Sequence, residues 1–175
     1  SLIVLQGVIE EGIVSEADGS TIYVPGPGNS IQMAINNATA GDTLVIANGT
    51  YNQTFTVNKV ITVKGNSTNN VIINGTGTGS VISVTVDWAN VTYLTVKNGG
   101  STNPNAGVRV VSSDYVRVEH VNASDNGLSG IQLYCSDHCK VLNCTAKSNG
   151  GDGIDLNHNY PYDYSDSNEV AYNYI

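Results

Sequence analysis

The feature that most constrains the fold of this chain is a repeat of 23 residues in its second half. Segments that begin at Gly107 and Gly130 align without a gap, and a third copy begins at Gly153. Each glycine is followed by an apolar, a polar and an apolar residue, the apolar pairs being Val108/Val110, Ile131/Leu133 and Ile154/Leu156. Such alternation places the apolar residues on one face of a short β-strand. One coil of this kind cannot bury its apolar face alone, so the repeat predicts stacked coils.

The repeat pattern extends beyond these opening strands. Val118 and Val121 align with Val141 and Cys144 one period later. Looser copies precede the repeat in "TVNKVITVKGNSTNNVIING" and "SVISVTVDWANVTYLTVKNGG", so the spacing along the chain varies from 23 to 30 residues. Asn, Gly and Ser separate the strands, as turns require. We therefore predict an all-β parallel solenoid of about five coils.

A short amphipathic helix is predicted near the start of the solenoid. Ser30 is a suitable N-cap, and Gly41 is a suitable stop signal. Between them, one face of the helix is apolar and consists of Ile31, Ala34, Ile35 and Ala38. That face would cover the first coil and close one end of the core.

With these repeats and this helix, the chain resembles the right-handed parallel β-helix superfamily, whose fold is pectate-lyase-like. Short "NG…GI.L" repeats are similar to those of carbohydrate-binding and sugar-hydrolysis domains, which also occur in archaeal and bacterial surface proteins. The opening at residues 25–65 is close to the usual start of such folds, and the resemblance covers about residues 25–175. It implies the fold but no single activity, because the superfamily includes lyases, hydrolases, adhesins and structural proteins.

Residues 1–24 precede the β-helix domain at 25–175 and are predicted to be an N-terminal strand extension. Leu2, Ile3, Val4 and Leu5 are consecutive apolar residues, as in a strand buried on both sides. The sequence stops within a strand pattern, "EVAYNYI", so that one apolar rung is left without a cover. We predict that residues 1–14 pair with the last coil of a neighbouring copy, around Val170, Tyr172, Tyr174 and Ile175. The alternative is that this segment folds back on its own solenoid.

The stretch "GGDGIDLNHN" resembles a hydrolase site. Asp152 lies in a turn, and Asp155 lies between two inward-facing strand residues and so points outward. Glycosidases require two carboxyl groups roughly 5–10 Å apart, and the alternative catalytic set is Asp152, Asp155 and His158. The second aspartate pair, Gly-rich histidine turn and Arg-Lys strand of polygalacturonase-like enzymes are not recognisable in this sequence. We therefore predict no catalytic residues and expect this stretch to be repeat architecture.

The last coil carries an insertion of six residues, because Val141 aligns with Val170 only at a spacing of 29 residues. The insertion lies in "NHNYPYDYSDS" and contains Tyr160, Tyr162 and Tyr164. Tyrosines on a protruding loop can stack on sugar rings or pack against a neighbouring subunit. A solvated loop without a partner is the third interpretation. Asp163 and Asp166 make the loop a weak calcium candidate, and no other metal or cofactor is predicted.

Three cysteines occur within one coil, in "CSDHCKVLNC". Cys139 and Cys144 align with inward-facing valines of the preceding copy, so both are predicted to be small core residues. Cys135 lies near the turn, where a Cys135–Cys139 disulfide is possible in an oxidising compartment. A Cys/His metal site that includes His138 is the alternative.

Eight Asn-X-Ser/Thr sequons are present, at Asn37, Asn48, Asn52, Asn66, Asn74, Asn90, Asn122 and Asn143. Most fall at predicted turns or outward positions, where a glycan leaves the core undisturbed. This density predicts a heavily N-glycosylated extracellular protein at a cell surface, with an archaeal surface as the leading setting. A signal peptide would already have been removed, because "SLIVLQGVIE" lacks a basic n-region and a cleavage site.

The charge balance excludes several partners. The chain has 7 Lys+Arg against 15 Asp+Glu and a net charge of −8. Nucleic-acid binding needs clustered cations that neutralise phosphates, and the same shortage of cations disfavours anionic polysaccharides. No apolar run approaches the roughly 18–20 residues of a membrane span.

Two functions are consistent with these features. The first is a secreted, N-glycosylated structural protein that self-assembles head to tail into an extracellular filament, sheath or surface layer, with copies of itself as partners. The alternative is a carbohydrate-binding or carbohydrate-cleaving β-helix module, whose groove would lie near Asp152, Asp155, His158 and the tyrosine loop.

Overall fold

The computed structural model describes residues 19–159 and 165–175, which form short strands and one helix. The first eight strands are β1 (Thr21–Val24), β2 (Thr43–Ile46), β3 (Gly49–Asn52), β4 (Phe55–Val57), β5 (Thr62–Gly65), β6 (Val71–Asn74), β7 (Ile82–Val84) and β8 (Asn90–Thr92), with helix α1 (Ile31–Asn37) after β1. The others are β9 (Thr95–Lys97), β10 (Ala106–Val111), β11 (Arg117–Glu119), β12 (Asn122–Ala123), β13 (Ser129–Tyr134), β14 (Lys140–Leu142), β15 (Ile154–Asn157) and β16 (Glu169–Ala171).

The strands form three parallel sheets, which the chain visits in turn. Sheet A has the order β1-β2-β5-β8-β11-β14-β16, sheet B the order β3-β6-β9-β12, and sheet C the order β4-β7-β10-β13-β15. In the fifth coil, isolated bridges from Thr145 to Asn122 and Tyr174 continue sheet B. The described chain thus completes five coils between β2 and β15, and the predicted parallel solenoid of about five coils is confirmed.

The register of the sheets follows the sequence repeat. Val118 pairs with Val141, and Val141 pairs with Val170, across both the 23-residue period and the longer last coil. On sheet C, Gln132 pairs with Arg109 on one side and with Asp155 on the other. The alignment of apolar residues therefore predicted the register correctly, because a slip of one residue would turn every inward side chain outward.

The core consists of columns of aliphatic side chains that run along the solenoid axis. In sheet A, Val63, Val91, Val118 and Val141 occupy equivalent inward positions and have no exposed surface. Full burial of such a side chain stabilises the folded state by about 1.5–3 kcal/mol. Helix α1 closes one end of this core, as predicted, with Ile31 and Ile35 completely buried.

The described solenoid starts with a strand that precedes the helix. The side chain of Ser30 caps α1 by accepting a hydrogen bond of 3.1 Å from the backbone N–H of Met33. Before the helix, β1 (Thr21–Val24) pairs in parallel with β2 of the same chain. The part of the predicted extension that forms β1 therefore belongs to sheet A of its own subunit. Alternating Ile22 and Val24 supply the inward side chains that this strand needs.

All three cysteines are buried, including Cys139 and Cys144, which were predicted to be core residues. Cys139 and Cys144 are 1% and 2% exposed, and Cys135 is 6% exposed. None of the three is bonded to another, so the Cys135–Cys139 disulfide considered above is absent from the structure. The Sγ atom of Cys139 instead lies 3.4 Å from the carbonyl oxygens of Ser113 and Asp137. This inward orientation explains why Cys139 behaves as a core residue.

Several predictions concern residues that lie outside the described ranges. They include the donated segment with Leu2, Ile3, Val4 and Leu5, and the loop residues Tyr160, Tyr162, Asp163 and Tyr164. Within residues 19–159 and 165–175, no helix has the length and apolar character needed to cross a membrane.

Candidate functional site

A small cleft on the outer side of sheet C brings the two aspartates of the "GGDGIDLNHN" stretch together. Its volume is about 200 Å³, and Asp152 and Asp155 both line it. The other side chains around it include Asn103, Leu128 and Asn157. His158, the third residue of the alternative catalytic set, is exposed and is not among the residues lining the cleft. The cleft is therefore polar, with amides and carboxylates on its surface.

A chain of hydrogen bonds crosses three coils beneath this cleft. The Nε atom of Arg109 donates to Oε1 of Gln132 at 2.7 Å, and Nε2 of Gln132 donates to Oδ2 of Asp155 at 2.7 Å. Gln132 is only 2% exposed although it lies on the outer side of the sheet. Burial also lowers the pKa of the Arg109 guanidinium, which lies 5.1 Å from the ring centre of Tyr134. These bonds hold the Asp155 carboxylate in one orientation.

This arrangement suits binding better than glycoside cleavage. A glycosidase needs two carboxyl groups that act on the glycosidic bond, whereas Oδ2 of Asp155 already accepts a hydrogen bond of 2.7 Å from the Gln132 amide. Asp152 lies in the turn before β15 and is exposed to solvent. The two groups can accept hydrogen bonds from hydroxyl groups of a ligand in the cleft.

A ladder of exposed aromatic rings occupies the turns that lead from sheet C to sheet A. Trp88 and Tyr115 stack with ring centroids 4.1 Å apart and an interplanar angle of 2°, and Tyr115 stacks on His138 at 4.9 Å. We call these three residues the Trp88 ladder. All three have left-handed backbone angles, with φ between 55° and 64°, which direct the chain sharply into the next sheet. Trp88 and Tyr115 remain 58% and 42% exposed.

Aspartates form a second ladder next to these rings. The carboxylate of Asp87 accepts a hydrogen bond of 2.9 Å from the backbone N–H of Asp114, and Asp114 does the same for Asp137 at 2.8 Å. Asp137 accepts one of 2.6 Å from Asp166. Of the two calcium candidates, Asp163 and Asp166, only Asp166 lies within the described residues, and it is a member of this ladder. In the described parts of the chain, no three His, Cys, Asp or Glu side chains converge into a metal-binding group.

Among the described residues, only the ring of Tyr115 stacks on the Trp88 indole. The corresponding position of the preceding coil is occupied by Val60, which lies two residues before Thr62, the β5 partner of Asn90. Val60 has no ring to continue the stack. Trp88 is 58% exposed and directly follows Asp87 in the chain, and an exposed indole with a neighbouring carboxylate can take an apolar sugar face and its hydroxyl groups.

A second aromatic ladder lies at the turns from sheet A to sheet B. Tyr93 stacks on His120 with ring centroids 4.6 Å apart, and the Nζ atom of Lys64 lies 5.6 Å from the Tyr93 ring centre. We call Tyr93 and His120 the Tyr93 ladder. Tyr93 is 39% exposed, which makes it a natural comparison for Trp88.

A larger depression of about 610 Å³ lies at the turns from sheet B to sheet C, but its asparagines serve the backbone. Oδ1 of Asn126 accepts a hydrogen bond of 3.0 Å from the N–H of Gly99, and Oδ1 of Asn149 accepts one of 3.0 Å from the N–H of Asn126. These amides satisfy turn N–H groups that would otherwise lack partners. The depression is consequently an architectural feature.

The sequon asparagines all lie at the surface. Five are exposed, namely Asn37, Asn48, Asn52, Asn66 and Asn143, and Asn74, Asn90 and Asn122 are half-buried. The residues expected to mediate assembly are also accessible: Val170, Tyr172, Tyr174 and Ile175 are 38%, 83%, 62% and 68% exposed. The Nζ atom of Lys147 lies 3.3 Å from the ring centre of Tyr174.

The Trp88 ladder was not predicted from the sequence. Its signal is an aspartate directly before each ring, in Asp87-Trp88, Asp114-Tyr115 and Asp137-His138. The spacing is 27 residues from Asp87 to Asp114 but 23 residues from Asp114 to Asp137, so the repeat is irregular at this position. Inward apolar residues recur at aligned positions, whereas these outward turn residues do not follow one constant spacing.

Comparison with solved structures finds several similar chains, all at low sequence identity. A pectin methylesterase variant in complex with a hexasaccharide is 18% identical with a TM-score of 0.48, over 72% of this chain and 54% of that chain. Pectin methylesterase PemA from Erwinia chrysanthemi is 17% identical with a TM-score of 0.48, over 72% and 52%. The Agl-KA catalytic domain is 15% identical with a TM-score of 0.50, over 94% and 39%.

Only the Agl-KA domain reaches a TM-score of 0.50, and at 15% identity that likeness concerns the fold alone. The chain spans about half the length of the pectin methylesterase structures, and no curated protein matches its sequence. A family model described as "Right handed beta helix region" matches residues 61–175. That match covers most of the chain and, together with three stacked parallel sheets, shows that the chain belongs to the right-handed parallel β-helix family.

Proposed function

We propose that this β-helix is an extracellular, N-glycosylated module that binds an uncharged polysaccharide. The observation that carries the proposal is the 58% exposure of Trp88, whose indole stacks on Tyr115 and directly follows Asp87 in an outward turn. Aromatic faces hold sugar rings through their apolar C–H surfaces, and neighbouring carboxylates accept hydrogen bonds from hydroxyl groups. The cleft at Asp152 and Asp155 adds more acceptors on the adjoining sheet.

The charges favour a neutral ligand. The aspartate ladder places Asp87, Asp114, Asp137 and Asp166 along the same turns as the rings, and the whole chain has a net charge of −8. An anionic polymer would meet like charges at every coil, which costs binding free energy. Uncharged glycans avoid this repulsion and retain the stacking and hydrogen-bonding contacts.

The extracellular setting is proposed from the sequons. All eight sequon asparagines are at the surface, where oligosaccharides can be attached without disturbing the core. An archaeal cell surface is the setting we expect. Intact-mass measurement on native material tests this part, since a mass equal to the bare 18.4 kDa chain would contradict it.

Binding to a panel of polysaccharides tests the function. We expect glycosylated protein to be retained by at least one of cellulose, chitin or the soluble glucan laminarin, and to be released by soluble oligosaccharides of the same type. Polygalacturonate serves as the anionic comparison and should bind more weakly. Failure to bind any of the three uncharged polymers would contradict the proposal, as would preferential binding to polygalacturonate.

Head-to-tail self-assembly into a filament, sheath or surface layer is the second candidate. The observation that favours it is the exposure of apolar side chains on the last described coil, where Leu156 is 45% exposed and Val170 38% exposed. We propose that residues 1–14 of a neighbouring copy cover this rung by adding a strand. Deletion of residues 1–14 should then convert polymers to folded monomers in light scattering. Unchanged particle size after the deletion would refute strand donation.

A further inference from the structure

The sequons are distributed unevenly around the solenoid. Six of the eight asparagines lie on sheet B or in the turns from sheet A to sheet B: Asn48, Asn52, Asn66, Asn74, Asn122 and Asn143. Asn90 begins β8 on sheet A, and Asn37 ends α1. None lies on a strand of sheet C or in the turns from sheet C to sheet A. We call sheet C and these turns the sequon-free face.

The sequon-free face carries both features assigned above to ligand binding. It includes the cleft with Gln132 and Asp155 on sheet C and the Trp88 ladder with its aspartates in the adjoining turns. The Tyr93 ladder is in a different environment. Asn143 follows β14 as His120 follows β11 and so occupies the next position of that ladder, and Asn143 is an exposed sequon residue.

Glycans on the other faces would merge into a coat. Neighbouring strands of a sheet are about 4.8 Å apart, so sugars attached to equivalent positions of successive coils touch one another. Asn52 and Asn74 are such a pair, since Nδ2 of Asn74 donates to Oδ1 of Asn52 at 2.8 Å. A coat of this kind excludes a large polymer from sheet B and from the turns that precede it.

We infer that N-glycans cover sheet B and the turns from sheet A to sheet B, leave the sequon-free face bare, and thereby restrict the uncharged polysaccharide to that face. The identity of the ligand rests on the proposed function, whereas the distribution of the coat does not. Two similar exposed aromatic ladders thus have different roles: the Trp88 ladder is accessible to the ligand and the Tyr93 ladder is covered.

Asn90 is a sequon residue only two positions after Trp88 in the sequence. It is half-buried, and its Nδ2 atom donates to Oγ1 of Thr62 at 3.2 Å. This bond directs the amide along sheet A and away from the turn that holds Trp88. Asn90→Gln should therefore leave ligand binding unchanged.

Oxidative footprinting tests the coat without any ligand. Protein secreted from a glycosylating host is compared with protein from a host that lacks N-glycosylation. We expect glycans to reduce the oxidation rate of Tyr93 several-fold and to leave the rates of Trp88 and Tyr115 unchanged. Equal protection of Trp88 and Tyr93 would overturn the inference, whatever the protein binds.

Two added sequons test the docking face. Ser83→Asn creates a sequon with Val84 and Thr85 on the outer side of sheet C, and Ile72→Thr creates one at Asn70 beside sheet B. With both added sites occupied, we expect Ser83→Asn to weaken polysaccharide binding at least tenfold and Ile72→Thr to change it less than twofold. The same Ser83→Asn chain made without glycosylation should bind like the wild type, which isolates the effect of the glycan.

The outcomes separate this inference from the function on which it rests. Full binding by glycosylated Ser83→Asn, with a wild type that binds, would overturn the docking face but leave carbohydrate binding intact. Equal losses from Ser83→Asn and Ile72→Thr would overturn it as well. A wild type that binds none of cellulose, chitin and laminarin would refute the proposed function and the docking part of the inference, while the footprint would still decide the distribution of the coat.

Discussion

Trp88 and Tyr115 stack almost in parallel, 4.1 Å apart, across two successive coils that are otherwise joined by backbone hydrogen bonds. Such a pair contributes about 0.5–1.5 kcal/mol beyond the area it buries. Because Trp88 remains 58% exposed, the proposed ligand can reach its indole while the stack on Tyr115 persists.

Replacing Trp88 by alanine should therefore affect binding far more than stability. We expect Trp88→Ala to weaken polysaccharide retention at least tenfold and to lower the free energy of unfolding by only about 1 kcal/mol. Affinity electrophoresis and urea unfolding measure the two effects. Tyr93→Ala, a matched change in the Tyr93 ladder, should have a similar effect on stability and little effect on binding; equal binding losses from the two variants would argue against a special role for Trp88.

The column of valines in sheet A provides a test of the fold. Val118 has no exposed surface, whereas Val170, two strands along the same column, is 38% exposed. Val118→Asp should abolish cooperative folding, because burial of an unpaired charge costs several kcal/mol. Val170→Asp should cost much less, since water still reaches that position. Circular dichroism during thermal unfolding distinguishes them, and a cooperatively folded Val118→Asp variant would contradict the register.

The buried thiols predict a specific loss of stability in alkali. Burial raises the pKa of Cys139 and of Cys144 from 9.0 to about 11. The folded state thus holds two protons that the unfolded state releases first, so their contribution is complete below pH 9 and is lost as the pH rises from 9 to 11. By pH 10 the loss should be on the order of 1 kcal/mol per thiol.

Guanidinium unfolding at pH 8 and pH 10 measures this loss. The control is the double variant Cys139→Val/Cys144→Val, which restores the valines found at the aligned positions of the preceding coil, Val116 and Val121. The double variant should lose less stability over the same pH interval than the wild type. Identical pH dependence in both proteins would show that the thiols do not titrate as described.

The carboxylates of the cleft are predicted to be dispensable for folding. Asp155→Asn keeps an oxygen that can accept from Gln132, and Asp152 is exposed, so each substitution should change the unfolding free energy by less than about 0.5 kcal/mol. Because we propose that the module binds polysaccharide without cleaving it, we expect no release of reducing sugars from the wild type or from either variant. If the wild type released reducing sugars and Asp155→Asn did not, the module would be an enzyme.

The periodic positions were predictable from the sequence because the core selects them directly. Val118, Val141 and Val170 had to be aligned for the chain to bury an apolar column, and the structure pairs them as expected. The helix that begins after Ser30 was also predictable, because its apolar face and its N-cap are local features of the sequence. Strand β1 was assigned to the extension because its pairing with β2 spans a helix and is not part of the repeat.

The candidate site was harder to predict because it depends on outward residues. Gln132 occupies the same outward position of the repeat as Asp155, yet it is 2% exposed within a wall that includes Leu128 and the non-repeating loop residue Asn103. The stacking of Trp88 on Tyr115 requires left-handed turns at irregular spacing. An alignment of inward apolar residues does not reveal such turns. The tyrosine loop is the more conspicuous feature of the sequence, and its residues 160–164 lie outside the described part of the chain.

The most direct test uses the fluorescence of Trp88, which is the only tryptophan in the sequence. Titration of the glycosylated protein with oligosaccharides of cellulose, chitin or laminarin should shift the Trp88 emission to shorter wavelength and saturate at the dissociation constant measured by equilibrium dialysis. Polygalacturonate fragments at the same concentrations should leave the emission unchanged. Saturable binding in dialysis without any change in Trp88 emission would contradict the account, because the ligand would then occupy another surface.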